Sequence, residues 1–98
     1  MRLERKLHAE FSGFLRRHEF TLVIHADPRK KSQLPPGWPD YSIFREGKVL
    51  YLEFKVGRNT LSEIQKEVIA SLLKEGFTVL VLRSYAEAVD ATMKFFTV

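Results

Sequence analysis

Leu3, Leu7, Phe11, Phe14 and Leu15 recur at helical spacing from the start of the chain to about Arg17. Residues 2–17 are therefore predicted to form an amphipathic helix, weakened only locally by Gly13. The pattern then changes period. Phe20-Thr21-Leu22-Val23-Ile24-His25 is rich in β-formers and predicts a first strand. Tyr41-Ser42-Ile43-Phe44 and Val49 to Val56 flank Arg45-Glu46-Gly47-Lys48, which is the signature of strand, tight turn, strand. In the second arm Leu50, Leu52, Phe54 and Val56 point one way, and Val49, Tyr51, Glu53 and Lys55 the other. Both sets are largely apolar, so this arm is expected to be a central strand covered on both faces.

Gly57-Arg58-Asn59 is a turn, and Thr60-Leu61-Ser62-Glu63 has the form of a capping box that opens a helix. Leu61, Ile64, Val68, Ile69 and Leu72 mark the apolar face of that helix, and Gly76 ends it. Phe77 to Arg83 is a continuous apolar run, expected for a buried parallel strand reached by a crossover helix. Ser84-Tyr85-Ala86-Glu87 repeats the capping pattern and leads a last helix to about Lys94. The order α-β-β-β-α-β-α predicts an α/β domain with a mixed four-stranded sheet flanked by helices.

Hairpin register brings the chemistry into view. Whether Arg45 to Lys48 form a four-residue loop or only Glu46 and Gly47 turn, Phe44 faces Val49 and Asp40 falls opposite Glu53. Opposed residues share a face with Cβ atoms about 4.5–5.5 Å apart, where like charges repel. Buried carboxylates are rare unless paired or holding a metal. Mg²⁺ takes one or two carboxylates plus waters and phosphate oxygens, so Asp40 and Glu53 are a suitable seat for it. Lys55, on the same face, can orient or deprotonate an attacking water or neutralise charge on a phosphorane. The residues thus suggest metal-assisted phosphodiester hydrolysis. A plain ion pair of Lys55 with either acid is the simpler reading of the same spacing.

Composition narrows the field. The 98 residues, 45% of them hydrophobic, fit one small domain spanning 1–98. A formal charge of +4 from 16 basic and 12 acidic residues favours a polyanionic partner. There is no cysteine, which excludes disulfides, thiolate zinc and cysteine nucleophiles. With no apolar run of membrane-spanning length and no secretory pattern after Met1, the expected location is the cytoplasm of the cell or of an infected host.

Ala26 to Pro36 contains Pro28, Pro35, Pro36 and the run Arg29-Lys30-Lys31, which forbids a central strand and predicts a long exposed loop. Such a loop suits the backbone of a nucleic acid; a solvated surface loop is the bland alternative. Trp38, between Gly37 and Pro39, is expected to pack. Gln65 falls inside the apolar stripe four residues after Leu61, and its amide needs partners such as the acid and lysine cluster. Glu4 and His8 lie one turn apart beside the apolar stripe of the first helix.

With Gly37-x-Pro39-Asp40, Glu53-Phe54-Lys55, Leu61-Ser62-x-x-Gln65, Gly76-x-x-Val79 and Arg83-Ser84 with Glu87-Ala88 in place, the chain resembles the PD-(D/E)XK nuclease superfamily. More narrowly it resembles stand-alone virus-type replication-repair nuclease (VRR-NUC) domains over nearly its whole length. The resemblance implies a restriction-endonuclease-like core and a Mg²⁺- or Mn²⁺-dependent endonuclease. It implies Asp40 and Glu53 as metal ligands, Lys55 as the residue serving the attacking water and Gln65 as the residue steadying the site. It points to Glu4 as a further metal-binding acid, with Glu10 a less well-placed alternative and His8 standing where a glutamine is often seen. His25 departs from the asparagine usual after the first strand. Branched DNA such as four-way (Holliday) junctions and a homodimeric state are likewise implied. The competing reading is a nuclease-like DNA-binding module without turnover, using Arg29, Lys30, Lys31 and Arg58 on phosphates.

Overall fold

A computed structural model describes residues 2–26 and 34–97. Its elements follow the expected order: α1 (Arg2–Arg17), β1 (Leu22–His25), β2 (Tyr41–Arg45), β3 (Lys48–Phe54), α2 (Glu63–Lys74), β4 (Thr78–Leu82) and α3 (Tyr85–Phe96). The sheet order is β1-β2-β3-β4. The first two pairings are antiparallel and β3 runs parallel to β4, so the sheet is mixed and β3 is interior to it.

The apolar stripe of α1 does what its period requires. Leu7, Phe11, Phe14 and Leu15 are buried against Tyr41, Ile43, Leu50, Leu52 and Phe54, on the sheet face that also receives Ala88 of α3. Phe11 sits at the middle of this layer, with the rings of Phe14, Tyr41 and Phe54 at 5.7, 5.0 and 5.4 Å. By the alternation of β3, Tyr51 and Glu53 point to the opposite face, where α2 lies.

Three expectations need correction. β1 begins at Leu22 rather than Phe20, because α1 ends in a Schellman turn: Phe20 N–H donates to the Leu15 carbonyl at 2.9 Å and Glu19 N–H to Arg16 at 3.1 Å. Phe20 is the buried apolar plug of that motif, and Glu19 takes the left-handed conformation with φ 61°. The α2 cap is Ser62, not Thr60, and its box partner is Gln65 rather than Glu63. Thr60-x-x-Glu63 and Ser62-x-x-Gln65 both satisfy the pattern, and contact with β3 favours the second. Finally, β4 is an edge strand and not a buried one, with Val81 37% exposed. Expected and observed ends agree at Gly76, which adopts φ 92° as Phe77 N–H closes on the Leu72 carbonyl at 3.0 Å.

The β2–β3 turn is the two-residue form, with Glu46 and Gly47 both at positive φ (51° and 80°), a type I′ geometry matched to strand twist. Phe44 pairs with Val49, and the ladder runs to Tyr41 opposite Leu52. One further step along this register sets Asp40 opposite Glu53. No helix among the described residues is long and apolar enough to cross a membrane.

Candidate active site

The site lies at the open end of the β2–β3 hairpin. Gly37, Trp38 and Pro39 deliver Asp40 there. Gly37 has φ 83°, and a Cβ on it would stand 2.9 Å from the Ile64 carbonyl oxygen, so glycine is required both by conformation and by the approach of α2. Trp38 packs, as expected: its ring meets Tyr51 edge-on at 5.8 Å and its Nε1 donates to Ser42 Oγ at 3.2 Å.

The Asp40 carboxylate closes the end of the ladder by accepting the Phe54 N–H at 2.8 Å, while the Asp40 carbonyl accepts from Ala26 N–H at 2.8 Å. Glu53 is 3% exposed, which makes it the most buried acid described. Lys55 Nζ stands 3.6 Å from Glu53 Oε2. Gln65 Nε2 donates to the same oxygen at 3.1 Å. The Gln65 amide is oriented from its other side as well, because its Oε1 accepts the Ser62 N–H at 2.9 Å in the capping box. The first turn of α2 therefore aims a donor, not an acceptor, at Glu53. A plain Glu53–Lys55 pair is thus present, while the group nearest the Asp40 carboxylate is His8, with Nε2 3.8 Å from Oδ2.

The electrostatics follow from burial. Desolvation and the Asp40 charge push the Glu53 carboxyl up to about 7, against the pull of Lys55 and of a hydrogen bond from the Asp40 backbone. Desolvation also raises Asp40, opposed by the Phe54 amide and by His8 and Lys55, with Glu4 adding to the rise. Two carboxyls that resist ionising together form a site that a cation would relieve.

Glu4 lies outside this pair. Its Oε2 is 3.6 Å from His8 Nε2, which in turn stands 3.8 Å from Asp40 Oδ2. Among the described residues no three acids or imidazoles form a ready-made cage for an ion. The donor set is two carboxylates, Asp40 and Glu53, which suits an ion such as Mg²⁺ that keeps several non-protein ligands. The chemistry of these donors therefore fits a hard divalent ion.

Arg58 is exposed at the turn just past Lys55. Arg29, Lys30 and Lys31 lie outside the described residues. Glu10 is exposed on α1, whereas Glu4 reaches Asp40 electrostatically. His25 stacks on Tyr41 at 4.2 Å and its Nε2 meets His8 Nδ1 at 3.1 Å. Two residues have supporting roles that the sequence reading did not assign. Arg83 donates through Nη1 to the carbonyls of Asn59, Gly57 and Lys55 at 3.1, 3.3 and 3.4 Å, fastening the turn that carries Lys55 into α2. Tyr41, inside the sheet, donates its hydroxyl to the His8 carbonyl at 3.0 Å and shares a hydrogen bond of 2.9 Å with Ser12. Nothing in the spacing of α1 announced either partnership.

No family model matches the chain, and no curated protein matches it. A solved structure described as a VRR_NUC domain protein does: it superposes with a TM-score of 0.77 at 22% identity, over 95% of this chain and 87% of its own. At that identity the likeness establishes the fold, a restriction-endonuclease-like α/β core of the VRR-NUC type.

Proposed function

We propose that this chain is a VRR-NUC nuclease, a divalent-ion-dependent endonuclease that hydrolyses phosphodiester bonds in DNA. The observation that carries the reading is the buried, mutually repelling Asp40–Glu53 pair with Lys55 3.6 Å from Glu53, at the open end of a hairpin in this fold. Asp40 and Glu53 would hold Mg²⁺ or Mn²⁺. When bound, the ion supplies Lewis-acid polarisation of the scissile phosphate and lowers the pKa of water. Lys55 contributes a fixed positive charge beside that position, orienting the incoming water and stabilising negative charge as the phosphorane forms. Gln65 keeps the Glu53 carboxylate in one rotamer through its doubly anchored amide. Arg83 holds the backbone of Lys55, so the ammonium and the carboxylate keep their separation.

Branched DNA, four-way junctions in particular, is the substrate class and a homodimer the assembly that this reading takes from the sequence resemblance, with the net charge of +4 favouring the polyanion. Arg29, Lys30, Lys31 and Arg58 are the proposed phosphate contacts. The test is a cleavage panel of linear, nicked, flapped and four-way DNA with and without Mg²⁺ and Mn²⁺, run beside Lys55→Ala. Metal-dependent cutting lost in Lys55→Ala supports the proposal. DNA binding that is salt-dependent, with no cutting under either ion, replaces it with a binding module that lacks turnover.

A further inference from the structure

His8 is not accounted for by the roles above. It lies on α1 at 14% exposure, beside the stacked rings of His25 and Tyr41 at 5.2 and 5.6 Å and meeting the Phe54 ring edge-on at 5.2 Å. Its Nδ1 is engaged by His25 Nε2 at 3.1 Å. Its Nε2 faces the site, between Glu4 Oε2 at 3.6 Å and Asp40 Oδ2 at 3.8 Å. Both separations exceed hydrogen-bond length. They lie within a few tenths of an ångström of the separation, about 3.0–3.5 Å, of neighbouring donors that share an ion at about 2.1 Å.

An imidazole clamped at one nitrogen, with the other aimed between two carboxylate oxygens, is the arrangement that metal-ligating histidines adopt. The far nitrogen's partner fixes the ring and the tautomer. Here the competent tautomer carries its proton on Nδ1, donated to His25 Nε2, and leaves the Nε2 lone pair toward the acids. Burial against three rings holds the imidazole plane. Glu4, at 36% exposure, is the least buried of the three donors and has the most room to approach.

We propose that His8 supplies, through Nε2, a nitrogen ligand to the divalent ion held at Asp40, so that the centre selects a first-row ion such as Mn²⁺ over Mg²⁺. The proposal rests on the nuclease reading for the presence of an ion and goes beyond it in assigning ligand and selectivity. The physical basis is that Mg²⁺ favours an all-oxygen shell and sheds water reluctantly, whereas imidazole nitrogen suits first-row transition ions. Glu4, drawn in toward a bound ion, would complete an oxygen–nitrogen–oxygen set from α1 to the start of β2 that the described residues do not form unaided.

The experiment is pulsed electron paramagnetic resonance of the full chain with substoichiometric Mn²⁺, read for ¹⁴N modulation, together with calorimetric titration of Mn²⁺ and Mg²⁺. The expected result is nitrogen coupling in the wild type that disappears in His8→Gln. Mn²⁺ affinity should fall about tenfold or more in that variant while Mg²⁺ affinity changes little. Should His8→Gln not fold, His18→Gln and His25→Gln that retain the coupling assign it to His8 by elimination. Mn²⁺ bound in a manner abolished by Glu53→Gln, but without nitrogen coupling, overturns this inference and leaves the nuclease reading standing. Coupling that survives His8→Gln also overturns it. Failure of either ion to bind the wild type at all overturns both.

Discussion

The β2–β3 hairpin carries a like-charged cross-strand pair at each end, and the two ends treat it in opposite ways. At the turn, Arg45 pairs with Lys48. Each cation leaves the other for its own neighbour: Arg45 donates to the His18 carbonyl at 2.8 Å and lies 3.6 Å over the Phe20 ring, while Lys48 Nζ donates to the Phe95 carbonyl at 2.9 Å. At the open end, Asp40 and Glu53 stay together in a buried setting that lifts both carboxyls. Repulsion is dispersed where water and carbonyls are at hand and retained where they are not. Retained repulsion at one end only is what distinguishes a site from a surface.

Breaking the retained pair is expected to have the largest effect. Glu53→Gln keeps the volume and an acceptor for Gln65 but removes the charge, so cleavage of four-way DNA should fall by about a thousandfold in the presence of Mg²⁺ or Mn²⁺, several kcal/mol of lost transition-state stabilisation. In the absence of divalent ions the same variant should melt at a higher temperature than the wild type above pH 7. A site residue whose removal stabilises the apo fold is the mark of stored repulsion, and equal or lower stability of Glu53→Gln would refute it.

The second expectation concerns pH. The Glu53 carboxyl sits at about 7 when folded, against 4.5 as its ordinary value. Between those limits the folded chain binds a proton that the unfolded chain has released, so this group's contribution is fully present below about 4.5 and is lost as pH rises through about 7. The total is about 3 kcal/mol. Chemical denaturation from pH 4.5 to 8 without divalent ions should show wild type losing that much more than Glu53→Gln, and added Mn²⁺ should restore most of it at the alkaline end. Parallel curves for the two proteins would remove the basis of the site.

How far these features were legible in sequence depends on what local pattern can encode. Hairpin register was legible because Phe44/Val49 pairing follows from Gly47 whichever turn length is chosen, and Asp40 and Glu53 follow from register. The cap of α2 was not, since Thr60 with Glu63 and Ser62 with Gln65 interleave within six residues and are locally equivalent. What separates them is that Gln65 reaches Glu53, a contact twelve residues distant in sequence. The exposure of β4 was hidden for a different reason: Val79, Leu80, Val81 and Leu82 are apolar in a row, and composition does not say where a sheet stops. Arg83 read only as part of a resemblance, because the three carbonyls it binds converge only after the turn at Gly57 has formed.

Gly37→Ala comes next in size, and it tests how the open end is assembled. The substitution forces a Cβ into the left-handed region and within 2.9 Å of the Ile64 carbonyl oxygen. A loss of about 2–3 kcal/mol is expected. Relief of the overlap must move the first turn of α2 or the strand leading to Asp40, and either motion draws Gln65 or Asp40 from its partner. Cleavage should therefore fall by about tenfold or more even at temperatures where the variant is folded. A folded Gly37→Ala with full activity would show that the approach of α2 does not set the site.

The smallest effect belongs to the other end of the hairpin. Lys48→Ala removes one of the two cations at the turn, together with a hydrogen bond to Phe95 and a contact of 5.4 Å with its ring. Lys48 is exposed, so water compensates the freed carbonyl, and the relief of repulsion with Arg45 offsets part of the loss. Stability should change by less than about 0.5 kcal/mol, with no dependence on divalent ions. Because Arg45 and Lys48 have already been separated by their neighbours, deleting one leaves little repulsion to release. At Asp40 and Glu53 the fold has kept the charges together, so deletion releases it. Denaturation of Lys48→Ala and Glu53→Gln side by side, with and without Mn²⁺, measures that asymmetry directly, and comparable ion-independent shifts in both would mean that the two ends are alike.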